Sequence, residues 1–146
     1  MKLLFIALLS SLFVSTGNWE TDLDKAKQLA QLEHKFILLN FSGSDWCGPC
    51  IRMHKEIFES DAFIKYANDH LVLLNADFPR LKKNQLSKEQ QKKNDQLADT
   101  YNKEGIFPST LLLNASGTII KRWDGFFANP PEEFIHEVKT AIDASK

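Results

Sequence analysis

Cysteine is the scarcest informative residue in this chain: there are two in 146 positions, Cys47 and Cys50. A small secreted domain stapled by disulfides spreads a larger, even set of cysteines along its length, so these two read as a working pair. A second C-x-x-C is missing, and His34, His54, His70 and His136 are scattered with no paired spacing. A four-ligand zinc site therefore lacks its second half, and no metal is expected. An excess of either charge is missing too. Eighteen Lys and Arg face 19 Asp and Glu, for a net charge of −1, which gives no electrostatic case for nucleic acid or an anionic membrane as the main partner. No internal repeat is visible. Beyond residue 17 no apolar run approaches the roughly 20 residues that cross a bilayer.

What is present begins with a separable N-terminus. Lys2 precedes an apolar run over residues 3–14, and Ser15, Thr16 and Gly17 follow. This is the layout of a secretory signal peptide and is too short for an ordinary span. An uncleaved signal acting as a short anchor is the alternative. The expected organisation is a signal peptide at 1–17 and one domain at 18–146, exported to the periplasm or secreted. At 43% hydrophobic residues, that domain can build a core without staples.

Leu23, Ala26, Leu29 and Ala30 recur at helical spacing, so a helix is expected over 22–34, with Thr21 and Asp24 as its capping box. Residues 36–41 form a continuous apolar run, short enough for a buried strand. Ser42, Gly43, Ser44 and Asp45 break it, and a second helix is expected from Cys47 to Phe58, with a shorter one reaching Asn68. Residues 71–74 read as another buried strand. The segment 80–102 is rich in Lys, Gln and Asn, with a cap at Ser87 and Gln90. It reads as a solvated helix stopped by Gly105, or else as a linker. A hairpin around Ala115, Ser116 and Gly117 follows. Phe134, Ile135, Val138, Ala141 and Ile142 stripe a last helix from Pro131. Buried strands separated by helices imply an α/β fold, a central mixed sheet with helices on both faces.

Trp46, Cys47, Gly48, Pro49 and Cys50 follow a strand and open a helix. Two spacer residues let both sulfurs meet within one helical turn. Cys47 falls at the helix N-terminus, where free N–H groups favour a thiolate. Gly48 and Pro49 suit a first turn, where the missing proline N–H costs little. Cys50, one turn deeper, is the more shielded sulfur. Cys47 is the candidate nucleophile and Cys50 the candidate resolving thiol. His54, a turn beyond Cys50, is expected on the helix surface, with a place near the site as the alternative.

At this point the sequence resembles the thioredoxin family. The Trp46 to Cys50 run matches that family's active-site motif. Gly105, Ile106, Phe107, Pro108 and Ser109, leading into Thr110 to Leu113, resemble its second signature, a loop ending in a cis-proline before a strand. Ser44, Asp45 and Trp46 before the pair, with Glu56, Ile57 and Phe58 after it, are similar to exported members such as the C-terminal domain of the bacterial transmembrane disulfide-interchange reductase. The resemblance covers most of 19–143. It implies a thioredoxin fold and a thiol–disulfide oxidoreductase with catalytic Cys47 and Cys50 and no cofactor. Trp46, Gly48, Pro49, Phe107 and a cis Pro108 would bind an extended substrate segment by strand addition.

Three departures stand out. Asn40 occupies the place of a buried family aspartate, Leu73 lies near that of a family lysine, and the 80–102 segment is longer than a minimal thioredoxin has. The leading expectation is a protein-disulfide reductase, monomeric, acting on protein or peptide disulfides and fed by a membrane or exported thiol-redox donor. A disulfide oxidase or isomerase is the alternative, as is a chaperone-like binding module on the same fold.

Overall fold

Strands buried on both faces read as near-continuous apolar runs, and two such runs form the centre of the molecule. The computed structural model describes residues 18–146. The expected signal peptide at 1–17 lies outside the described residues. Strands β2 (Phe36–Ser42) and β3 (Leu71–Asp77) pair in parallel through seven residues each, Phe36 opposite Leu71 and Ser42 opposite Asp77. On the far side of β2, strands β4 (Ser109–Leu113) and β5 (Ile119–Asp124) continue antiparallel. A two-residue strand β1 (Trp19–Glu20), without a signal in the sequence, pairs in parallel with Leu73 and Leu74 at the other edge. The sheet order is β1-β3-β2-β4-β5, a thioredoxin-type mixed sheet.

The helices start where side chains can take the first free amides. Helix α1 (Leu23–Glu33) is capped by Asp22, whose carboxylate accepts from Lys25 N–H at 3.0 Å. The cap therefore sits one residue after the expected Thr21, because Asp22 is the last residue with extended backbone. Helix α2 (Gly48–Met53) begins at the cysteine pair and widens into a π-helical turn at His54–Phe58, where an unbroken α-helix was expected. Ser60 caps α3 (Asp61–His70), accepting from Phe63 N–H at 3.2 Å. Ser87 caps α4 (Lys88–Tyr101), accepting from Gln90 N–H at 3.1 Å as the sequence predicts. The stop of α4 is Asn102, whose side chain bonds both the N–H and the carbonyl of Ile106; Gly105 turns the chain afterwards at φ +65°. Pro131 opens α5 (Pro131–Ala144).

Two apolar layers sandwich the sheet. Leu38, Leu73 and Leu112 face Met53, Phe63, Phe134 and Val138 of α2, α3 and α5. Ile37, Leu39, Phe41 and Leu111 face Ala26, Ala30, Leu97 and Tyr101 of α1 and α4. The 80–102 segment thus contributes to the same core, which removes the linker reading. Phe134 centres the first layer, fully buried with its ring 5.1 Å from Trp123 and 5.3 Å from Phe127. Phe134→Ala should lower stability by about 3–5 kcal/mol, the usual cost of such a void, measured by urea unfolding. A loss under about 1 kcal/mol would mean that neighbouring rings close the gap.

Candidate active site

The site is built at the C-terminal end of β2, where the loop after Ser42 must deliver Cys47 to the start of α2. Two backbone bonds fold that loop, from Trp46 N–H and Cys47 N–H to the carbonyl of Gly43 at 3.3 and 2.9 Å. Gly43 is required by crowding: a Cβ there would lie 2.3 Å from the Trp46 ring. The Trp46 indole N–H donates to the carbonyl of Phe78 at 2.7 Å. Asp77, at the end of β3, accepts from the Ser44 N–H at 2.9 Å and from its hydroxyl at 2.6 Å. The loop is therefore tied to the end of the neighbouring strand at two points.

Cys47 is the N-cap of α2, and Cys50 lies within its first turn. The two are joined in a disulfide, with Cα atoms 5.2 Å apart. Cys50 N–H also donates to Cys47 Sγ at 3.2 Å, so the sulfur occupies the position of a capping oxygen. Both cysteines are buried, Cys47 at 5% exposure and Cys50 at 1%. The order matches the sequence expectation, with a smaller difference than one turn of depth suggests. Gly48 and Pro49 are exposed on the first turn.

Phe107 and Pro108 arrive at the same end of the sheet, because Ser109 pairs with Phe41 of β2. The Phe107–Pro108 bond is cis, and Pro108 is buried with its carbonyl accepting from Gly125 N–H at 2.8 Å. The Phe107 ring meets the edges of Trp46 and Phe78, each at 5.5 Å. The structure thus gathers Trp46, Cys47, Gly48, Pro49, Cys50, Phe107 and Pro108 at one end of the molecule.

Sequence reasoning missed what braces this group from behind. The Arg80 guanidinium lies 3.6 Å over the Trp46 ring. The carboxylate of Asp45 accepts from Arg80 N–H and Leu81 N–H, both at 2.9 Å, and from the Asn84 amide at 3.1 Å. The start of the long 80–102 segment is thereby clamped to the loop that carries Cys47. Only the polar composition of that stretch hinted at such a role.

This end of the sheet holds buried polar residues. Asn40 is 1% exposed; it accepts from the Thr110 hydroxyl at 3.1 Å and donates to Asn75 at 3.4 Å. The residue opposite Asn40 in the register is Asn75, and Leu73, two residues earlier on β3, packs into the apolar layer. His54 departs from the surface position expected of it. It is half-buried, with its ring 5.2 Å from Trp19 and 5.4 Å from Phe58. Burial holds its imidazole below the ordinary histidine value, opposed by the carboxylates of Glu59 and Asp77. It lines, with Cys50 and Asn75, an open cleft of about 450 Å³.

Among the described residues no group of His, Cys, Asp and Glu could hold a metal ion. The chemistry on offer is the interconversion of a disulfide and a dithiol at a helix N-terminus beside an apolar rim.

A family model for a thioredoxin-like domain matches residues 23–142. The chain is 36% identical over 124 residues to the disulfide bond reductase DsbH of Chlamydia pneumoniae, covering 85% of this chain and 72% of that one. A solved structure of a DsbH oxidoreductase superposes with a TM-score of 0.80 at 31% identity, over 97% of this chain and 95% of the other. The C-terminal domain of DsbD from Neisseria meningitidis shares the fold, with a TM-score of 0.55 at 18% identity over 85% of this chain and 99% of that domain.

The Asp45 clamp has a definite pH dependence. The Arg80 N–H, foremost, holds the Asp45 carboxyl below the usual carboxylate range; desolvation opposes this, while Leu81 N–H and the Asn84 amide add to it. A lowered folded value means that the carboxylate stabilises the clamp fully above its unfolded value of about 3.9 and loses this effect as pH falls through the folded value. The Arg80 and Leu81 amides should stay protected from hydrogen exchange at pH 5 and open only below about pH 4. In Asp45→Ala they should exchange faster at every pH.

Proposed function

The chain belongs to the thioredoxin-like family, and we propose from that membership that it works as a disulfide bond reductase on proteins outside the cytoplasm. It is a thiol–disulfide oxidoreductase whose redox pair is Cys47 and Cys50. The observation that carries the reading is the placement of Cys47 Sγ, which takes the Cys50 N–H at the open end of α2. A thiolate formed there keeps that donor and the favourable end of the helix dipole.

In this mechanism the Cys47 thiolate attacks a substrate disulfide and expels one substrate sulfur as a thiolate, which takes up a proton. Cys50 then loses its proton, attacks Cys47 and expels the second substrate sulfur. Substrate gains two electrons and two protons, and the protein is left oxidised. Trp46 and Phe107 form the apolar rim for the substrate segment, Gly48 and Pro49 leave the first turn open, and the backbone before Pro108 supports an added strand. Lowering a thiol from about 8.5 to about 7 raises its thiolate fraction at neutral pH about 16-fold, while weaker nucleophilicity returns about fivefold. The net gain is only about threefold, so alignment on the substrate matters as much as ionisation.

The Gly48-Pro49 spacer carries no cation, so nothing between the cysteines adds charge to stabilise the reduced form, the device of strong oxidants. The dithiol is therefore a good electron donor, and a membrane or exported thiol-redox partner must recharge it where the surroundings are oxidising.

Cys47→Ser should abolish reduction of insulin disulfides, and Cys50→Ser should accumulate mixed disulfides on Cys47. The potential measured against glutathione buffers should fall at roughly −230 to −290 mV. A value near −120 mV would assign disulfide formation, and one near −180 mV isomerisation. For export, the mature chain isolated from the producing cell should begin between Thr16 and Trp19 in an extracytoplasmic fraction. A soluble cytoplasmic protein still starting at Met1 would refute export.

A further inference from the structure

The second half of the reductase cycle needs a base, because Cys50 must become a thiolate before it can attack Cys47. Cys50 is 1% exposed, so its proton has few exits. Asn75, which lines a cleft with Cys50, bonds Asn40, and Asn40 bonds Thr110, two amides and an alcohol. None of them takes up a proton near neutral pH. The cleft beside Cys50 is the remaining route. It measures about 450 Å³ and is lined by Cys50, Ile51, His54, Lys55, Glu59 and Asn75 among others.

Resting on the reductase reading, we propose that His54 is the proton acceptor for Cys50, acting through the cleft that the two side chains share. His54 lies one helical turn after Cys50, and its backbone N–H donates to the Cys50 carbonyl, so both side chains fall on one helix face. Its ring is fixed by Trp19 of β1 and by Phe58 at the end of the π-helical turn. Neither ring nitrogen has a hydrogen-bond partner among the described residues, and neither is sealed from solvent without one. An imidazole held between two aromatic rings, bordering the cleft that Cys50 also lines, is set up for proton transfer.

The other ionisable groups near it are less suited. Lys55 on the same helix is a cation. Glu59 is exposed at the rim, and a carboxylate is a far weaker base than imidazole. Asp77, at the end of β3, is occupied by both donors of Ser44. Burial holds the His54 imidazole below the ordinary histidine value, opposed by the carboxylates of Glu59 and Asp77. A neutral ring is the form that accepts a proton.

The Cys50 S–H proton passes to His54, directly or over a water in the cleft. The Cys50 sulfur bonds to Cys47 Sγ, and the bond from Cys47 to the substrate sulfur breaks. The electron pair leaves on the substrate thiolate, which takes a proton from solvent, while His54 returns its proton to the water of the cleft.

The test is a quenched-flow experiment on the reduced full-length protein with a peptide disulfide, at pH values from about 5 to 9. Mass spectrometry follows first the mixed disulfide on Cys47 and then its resolution to the oxidised protein. In His54→Gln, and in His54→Phe, which keeps an aromatic ring between Trp19 and Phe58, the mixed disulfide should form at the parent rate. It should then resolve about a hundredfold more slowly near neutral pH, the lower end of what a positioned general base supplies. The parent's resolution rate should show an inflection below the ordinary histidine value of about 6.5, which both variants lose. In His54→Ala, added imidazole should restore resolution, an effect that a purely structural role does not produce. Variants that resolve at the parent rate with the parent pH profile overturn the proposal while leaving the reductase reading intact. A parent that forms no mixed disulfide overturns both.

Discussion

The site hangs on one indole hydrogen bond, from Trp46 to the carbonyl of Phe78. It joins the residue before the nucleophile candidate to the chain leaving β3, across the two central strands. Losing it would strand a half-buried carbonyl and an indole N–H, a cost of about 1–3 kcal/mol each where water cannot replace the partner. The ring that it fixes fills the space a side chain at Gly43 would need and receives the Arg80 guanidinium on one face. The edge of Phe107 rests against the same ring. Cys47 follows one residue later, so the position of the sulfur and that of the substrate rim are set by the same contact. The Gly43 carbonyl, accepting the Cys47 N–H, completes the turn into α2.

The two apolar layers explain why the chemistry stays local. Both faces of β2 are buried over almost its whole length, so its position cannot drift when a substrate docks at its end. At this end of the sheet the buried amide of Asn40 is satisfied by Thr110 and Asn75. A neutral amide at Asn40 adds no like charge beneath a thiolate, in contrast to a buried carboxylate. It equally offers no titrating group there. A dithiol on this scaffold must exchange protons on its helix side, where the cleft opens.

The architecture was legible because its signals were strong and local. Residues 36–41 and 71–74 are mostly apolar runs, Ser87 is placed to cap with Gln90, and the spacing from Cys47 to Cys50 lets both sulfurs meet beside a strand and a helix. The cis bond before Pro108 was implied by resemblance alone. What escaped was set by tertiary contact. Two residues of β1 carry no periodicity. The π-helical turn at His54–Phe58 keeps a helical composition, so the sequence could not reveal that His54 turns inward against Trp19. The register of β3 shows the same limit: only the strand pairing places Asn75 opposite Asn40. Asp45 read as a loop acid near the nucleophile, since its donors come from 35 to 39 residues away.

That last contact changes the electrostatic account of the pair. An acid two residues before Cys47 would, in isolation, oppose a thiolate and make the disulfide harder to reduce. Here its carboxylate is turned onto Arg80 N–H, Leu81 N–H and the Asn84 amide. Three donors spread its charge, and the Arg80 cation stacked on Trp46 stands close by. The field that Asp45 exerts on Cys47 is correspondingly reduced, and at an exposed position salt screens the remainder. The start of the 80–102 segment therefore does two things at once. It braces the tryptophan that positions the nucleophile, and it draws a negative charge away from the sulfur that must carry one. Reducing power then depends chiefly on the open end of α2 and the Cys50 N–H, neither of which favours the thiolate strongly enough to make the disulfide an oxidant.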